Sequence, residues 1–93
     1  MTSETMQKLD AQLAEICTDC SIDPTAKIPV VIRVAGDRFG EATSTVAGAG
    51  GTVRHQFRRL GAIAAWVPLA AIEMVAQQPF VSSMEMQQQF SMA

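Results

Sequence analysis

An α+β fold, with four antiparallel strands in one sheet and two helices on one of its faces, is what the sequence predicts. Three observations carry that expectation. From residue 28 the apolar pattern changes from helical spacing to β-branched runs such as Val30-Val31-Ile32-Arg33-Val34. Gly36, Gly48, Gly50, Gly51, Gly61, Pro68 and Pro79 then cut the chain into short segments. Read in order, those segments alternate as strand, helix, strand, strand, helix, strand. Ninety-three residues suffice for one domain of marginal stability.

Ahead of the sheet, residues 3–17 are expected to form an extra N-terminal helix. Ser3 can cap it, Glu4 suits its positive end, and Met6, Leu9, Leu13 and Ile16 recur at intervals of three and four. Five of the nine acidic side chains fall within residues 1–23. The helix therefore reads as an appended element whose apolar stripe covers the domain or pairs with a second copy of itself. Asp23-Pro24-Thr25 breaks the chain after it.

The first strand begins near Ile28, with Pro29 tolerable at its start. Gly36-Asp37 ends it, and Asp37 is the expected cap of a helix over residues 38–49 with Phe39, Ala42 and Val46 inward. The Thr43-Ser44-Thr45 run weakens that helix intrinsically. Residues 52–58 alternate as a second strand, Leu60-Gly61 turns, and residues 62–67 form a third. Pro68 is placed for the first turn of a helix reaching residue 77 or 78, with Leu69, Ile72, Val75 and Ala76 buried. Pro79 stops it, and residues 81–87 form the fourth strand. The βαββαβ order is the ferredoxin-like, split-βαβ arrangement, which leaves one sheet face bare. Ile63, Ala65 and Val67 should face the helices, and Ala64 and Trp66 the open side. In strand four Met84 and Met86 point inward, so Ser83, Glu85 and Gln87 point out. Trp66 beside small and polar side chains makes a docking surface or an ordinary, partly covered aromatic.

Composition narrows the function classes. A net charge of −2 and a pI near 5.2 argue against a general nucleic-acid binder. Arg54, His55, Arg58 and Arg59 form a local basic cluster, read as a solvated hairpin before a phosphate site. Residues 62–72 are the most apolar stretch, too short for a bilayer and interrupted by Pro68. Met1 leads into Thr-Ser-Glu and not into a secretory signal, so a cytoplasmic, membrane-free protein is expected. One histidine, no tyrosine and no paired carboxylates leave little for acid–base chemistry, so no enzyme is expected. Cys17-Thr18-Asp19-Cys20 is a lone C-x-x-C with His55 far away, and it ends a helix where a redox motif opens one. Ordinary thiols are the reading, with no metal and no cofactor.

The closing run, Val81-Ser-Ser-Met-Glu-Met-Gln-Gln-Gln-Phe-Ser-Met-Ala93, passes from a strand with one acid into a polar tail bearing Phe90. An extended segment on a small rigid body suits a peptide-binding cleft. Three stretches then bring in a resemblance. Gly50-Gly51-Thr52-Val53-Arg54-His55-Gln56-Phe57, Ala65-Trp66-Val67-Pro68 and Pro79-Phe80-Val81-Ser82-Ser83-Met84-Glu85 follow one another with nearly ungapped spacing. In that order they resemble the pro-segments of subtilisin-like serine proteases and the free-standing inhibitors related to them, over about residues 28–93.

The resemblance implies a proteinaceous inhibitor of a subtilisin-like serine protease. It places Glu85 at the N-termini of two enzyme helices, with Gln87 at the family's second acidic position and bringing no charge there. Trp66 and the open face would lie on those helices. Phe90, Ser91, Met92 and Ala93 would fill the substrate cleft like a reaction product, with Phe90 in an apolar pocket and Ala93 at the nucleophile. Residues 1–27 would be an extension, 28–87 the pro-segment-like domain and 88–93 the protease-binding tail. Two rivals share the fold: a pro-segment acting as a folding helper, and a ferredoxin-like module that dimerises or binds a ligand. The first differs only in whether a protease follows in the gene.

Overall fold

The computed structural model describes residues 7–18 and 21–86. Its elements are α1 (Ala11–Thr18), β1 (Lys27–Val34), α2 (Phe39–Gly48), β2 (Thr52–Phe57), β3 (Ala62–Pro68), a 3₁₀ turn (Leu69–Ala71), α3 (Ile72–Ala76) and β4 (Val81–Met86). The four strands form one antiparallel sheet in the order β2-β3-β1-β4. The result is an α+β fold with an open sheet and three helices, compatible with a ferredoxin-like arrangement.

Alternation along the strands decides the core. Val30, Ile32 and Val34 of β1, Ile63, Ala65 and Val67 of β3, and Met84 of β4 are buried on one face. Leu13 of α1, Phe39, Ala42 and Val46 of α2, and Ile72, Val75 and Ala76 of α3 join them in a single cluster. The expected inward residues of both α2 and α3 are therefore the observed ones.

Element ends differ from expectation for identifiable reasons. Asp37 does not cap α2: Arg38 holds the cap position, no side chain bonds there, and the Arg38 carbonyl accepts from the Ala42 amide at 3.0 Å. Pro68 does not open a helix; with φ −57° and ψ 140° it closes β3 and precedes the 3₁₀ turn. Its extended ψ puts the helical geometry one residue later, and α3 proper begins at Ile72. A Schellman turn ends α2: the Gly51 amide bonds the Val46 carbonyl at 2.9 Å and the Gly50 amide bonds the Ala47 carbonyl at 3.1 Å. Gly50 has φ +89°, and a Cβ on Gly51 would lie 2.9 Å from Val46 Cγ1, so both positions demand glycine.

The N-terminal segment is built differently from an uninterrupted helix over residues 3–17. Gln7 and Lys8 are helical, and Leu9 leaves the helix to bridge Met84 in parallel fashion. Helix α1 starts after Asp10, whose Oδ1 accepts from the Leu13 amide at 2.7 Å. Ser3 and Met6 lie outside the described residues. Leu9 and Leu13 both enter the core, so this stripe packs on the domain. Lys8 adds a tether by donating to the Ala76 and Gln78 carbonyls at 2.9 and 3.2 Å, a cation at the C-terminal end of α3.

Candidate functional site: the open sheet face

Residues paired directly across an antiparallel sheet share a face, so register writes out the surface opposite the helices. One row reads Thr52, Trp66, Pro29. The next reads His55, Ala64, Val31, Glu85. The third reads Phe57, Ala62, Arg33, Ser83. No described helix covers these rows.

The face is apolar along β3 and at Val31, with the exposed Arg33 on inner strand β1 and further charges at both edges. Ala62 and Ala64 lie low among larger neighbours and are almost fully covered, while Val31 and Trp66 are half-buried. On the β2 edge the Arg54 guanidinium lies 5.7 Å from the Trp66 ring centroid, a cation–π contact. His55 and Phe57 tilt together with ring centroids 4.6 Å apart. Arg54, His55, Phe57 and Ala64 line a shallow cavity of about 330 Å³. On the β4 edge Glu85 is exposed.

A register shift between Val53 and His55 makes the β2 edge what it is. Unbroken alternation would put His55 and Phe57 beside Val53, over the helices. The bulge turns them outward and leaves Gln56 on the helix side, where its Nε2 donates to Thr43 Oγ1 at 3.2 Å. The sequence marked Arg54 and His55 only as part of a basic cluster. Register, not composition, brings them onto the face that holds Trp66. Arg58, in the same cluster, points elsewhere and lies 5.5 Å from the Phe39 ring centroid.

Trp66 and Glu85 therefore stand on the open face, as alternation led one to expect, in adjacent rows but on different strands. Gln87, Phe90, Ser91, Met92 and Ala93 lie outside the described residues. Beside the root of the tail, the Met86 amide donates to Asp10 Oδ2 at 3.4 Å.

Elsewhere little chemistry gathers. Cys17 is a half-buried free thiol whose pKa is pushed up by burial and then by the nearby Glu73 carboxylate. Cys20 lies outside the described residues. Among the described residues no three His, Cys, Asp or Glu side chains converge to hold a metal, and no helix is long and apolar enough to cross a membrane. No protein-family model, curated protein or solved structure matches the chain.

Proposed function

We propose that the chain is a ferredoxin-like inhibitor of subtilisin-like serine proteases that docks its open sheet face on the enzyme and lays residues 90–93 in the substrate cleft in a product-like manner. The observation that carries the reading is the sheet face that no described helix covers. A half-buried Trp66 sits in it, and an exposed Glu85 stands on its last strand, immediately before the tail. A carboxylate there can meet unpaired amides at the N-termini of enzyme helices, with the helix dipole adding to the attraction. Trp66 supplies the large, rigid, partly desolvated group typical of interface anchors. The strand order β2-β3-β1-β4 is what a split-βαβ domain requires.

The tail would bind as an extended segment, gaining main-chain hydrogen bonds from the cleft and an apolar pocket for Phe90. Among the described residues the core runs from Leu9 to Met84. Deleting residues 90–93 should leave the thermal unfolding curve unchanged and abolish inhibition of a broad-specificity subtilisin. Undiminished inhibition by the shortened chain would overturn the cleft-insertion mechanism. The folding-helper reading shares this interface and differs in its assay, acceleration of refolding of a denatured subtilisin.

A further inference from the structure

The open face carries a cation inside its footprint, and we propose that this residue, Arg33, selects the enzyme: the inhibited protease presents a carboxylate opposite Arg33, beside the helix amides that receive Glu85. The proposal rests on the inhibitor reading and names the kind of enzyme surface that reading requires.

Alternation along β1 puts Lys27, Pro29, Val31 and Arg33 on the open side of the sheet. Lys27 and Arg33 are exposed, while Pro29 and Val31 between them are half-buried. Lys27 begins the strand and stands at the rim. Arg33 stands on an inner strand, between Ala62 of β3 and Ser83 of β4. Both neighbours are short, and Ala62 is almost fully covered, so the long side chain of Arg33 has a low row around it. Glu85 is close by. Val31 pairs with Glu85 and Arg33 with Ser83, which makes Arg33 and Glu85 diagonal neighbours, with backbones about 7–8 Å apart.

An enzyme laid on this face strips water from the Arg33 guanidinium. A charge left buried and unpaired at an interface is costly, so the enzyme has to supply an acceptor. The helix N-termini that suit Glu85 cannot do so, because their dipole is positive and repels a cation. A carboxylate can, since its two oxygens match the planar fork of a guanidinium in a bidentate pair. The rest of the face points the same way. Among the described residues it holds three cations, Lys27, Arg33 and Arg54, against the single acid Glu85, in a chain whose net charge is −2. An acidic enzyme surface is therefore drawn to this side of an otherwise acidic chain, and salt should weaken that attraction.

The test uses the full chain and a broad-specificity subtilisin. Aspartate and asparagine are placed in turn at each enzyme surface position about 7–8 Å from the helix N-termini, giving matched pairs of enzymes. For at least one pair, the parent should inhibit the aspartate form at least about tenfold more tightly than its asparagine twin, and the difference should shrink at high salt. Arg33→Ala should abolish that preference, and Arg33→Glu should reverse it. Thermal unfolding shows whether each variant folds, and Arg33→Gln, which keeps most of the stem, replaces any that does not and should likewise lose the preference. Equal inhibition within every pair overturns the proposal and leaves the inhibitor reading standing; it is also the result expected if Glu85 neutralises Arg33 within the complex. A preference that survives Arg33→Ala overturns the proposal too, because the carboxylate then answers to another group. A parent that inhibits no form of the enzyme removes the inhibitor reading and this proposal with it.

Discussion

Asp10 and Met86 are joined by a single carboxylate that serves two elements at once: its Oδ2 accepts from the Met86 amide while its Oδ1 caps α1 through Leu13. The residue from which the tail departs is thus tied to the start of the N-terminal helix, 76 positions away in sequence. A tail held at its root loses less freedom on binding than one attached to a frayed strand end. The contribution of the neighbouring Glu85 and Gln87 to a complex should accordingly be sharp.

Glu85→Gln should weaken inhibition of a subtilisin by about 1–2 kcal/mol, the scale of a partly buried anion at a helix N-terminus. Gln87→Asp should strengthen it by adding a second charge. Inhibition constants from one titration series decide the matter, and silence at both positions would mean that β4 does not meet helix N-termini.

Within the tail, Phe90 and Met92 should differ. Phe90→Ala should cost about 2–3 kcal/mol of binding, the usual loss for a buried aromatic anchor, and Met92→Ala well under about 1 kcal/mol. Ala93→Leu should improve inhibition of enzymes with a large apolar primary pocket. Equal losses at 90 and 92 with no gain at 93 would show a different register in the cleft.

Two glycines should respond oppositely to alanine. A Cβ on Gly51 would press on the Trp66 carbonyl and on Val46 from two sides, so Gly51→Ala should destabilise by about 1–3 kcal/mol. A Cβ on Gly40, within α2, meets nothing within 4 Å. Gly40→Ala should therefore stabilise by about 0.5–1 kcal/mol. Denaturant midpoints of the two variants against the parent give both signs.

Alkaline stability should report on Cys17. Its folded-state pKa lies above the ordinary 9.0, through burial first and Glu73 second. The unfolded chain therefore ionises this thiol before the folded one does. The stabilising difference is fully present below the ordinary value and is lost as pH rises through it toward the folded-state value. Urea midpoints on either side of that range should fall less for Cys17→Ser than for the parent.

Legibility from sequence followed the range of the interactions. The nearly continuous β-branched run around Ile32 and the apolar run around Ile63 were visible as strands because that signal is local. The helical stripes of α2 and α3 were equally plain, down to Phe39, Val46 and Ile72. Leu9 misled because its spacing to Leu13 suits a helix, whereas pairing with Met84, far along the chain, interrupts the helix there. Asp37 and Asp10 are both sound caps by residue type, and only the surrounding backbone decides that Asp10 is used. Trp66 and Glu85 could be placed on the open face one strand at a time. The row that joins Glu85 to His55 needed the strand order and a bulge, neither of which leaves a mark in any short window.

The Leu9 bridge has a consequence for how such chains can accumulate. The Met84 carbonyl, on the outer side of β4, already accepts from the Asp10 amide at 3.1 Å, and the Met86 amide is taken by the Asp10 carboxylate. An incoming strand finds that border occupied, whereas β2 forms the opposite border of the sheet. A unit with only one joinable border can cap a growing ribbon but cannot extend it, because every addition needs two. Growth of a linear β-polymer therefore stops at a pair joined β2 to β2 for as long as residues 8–10 stay in place.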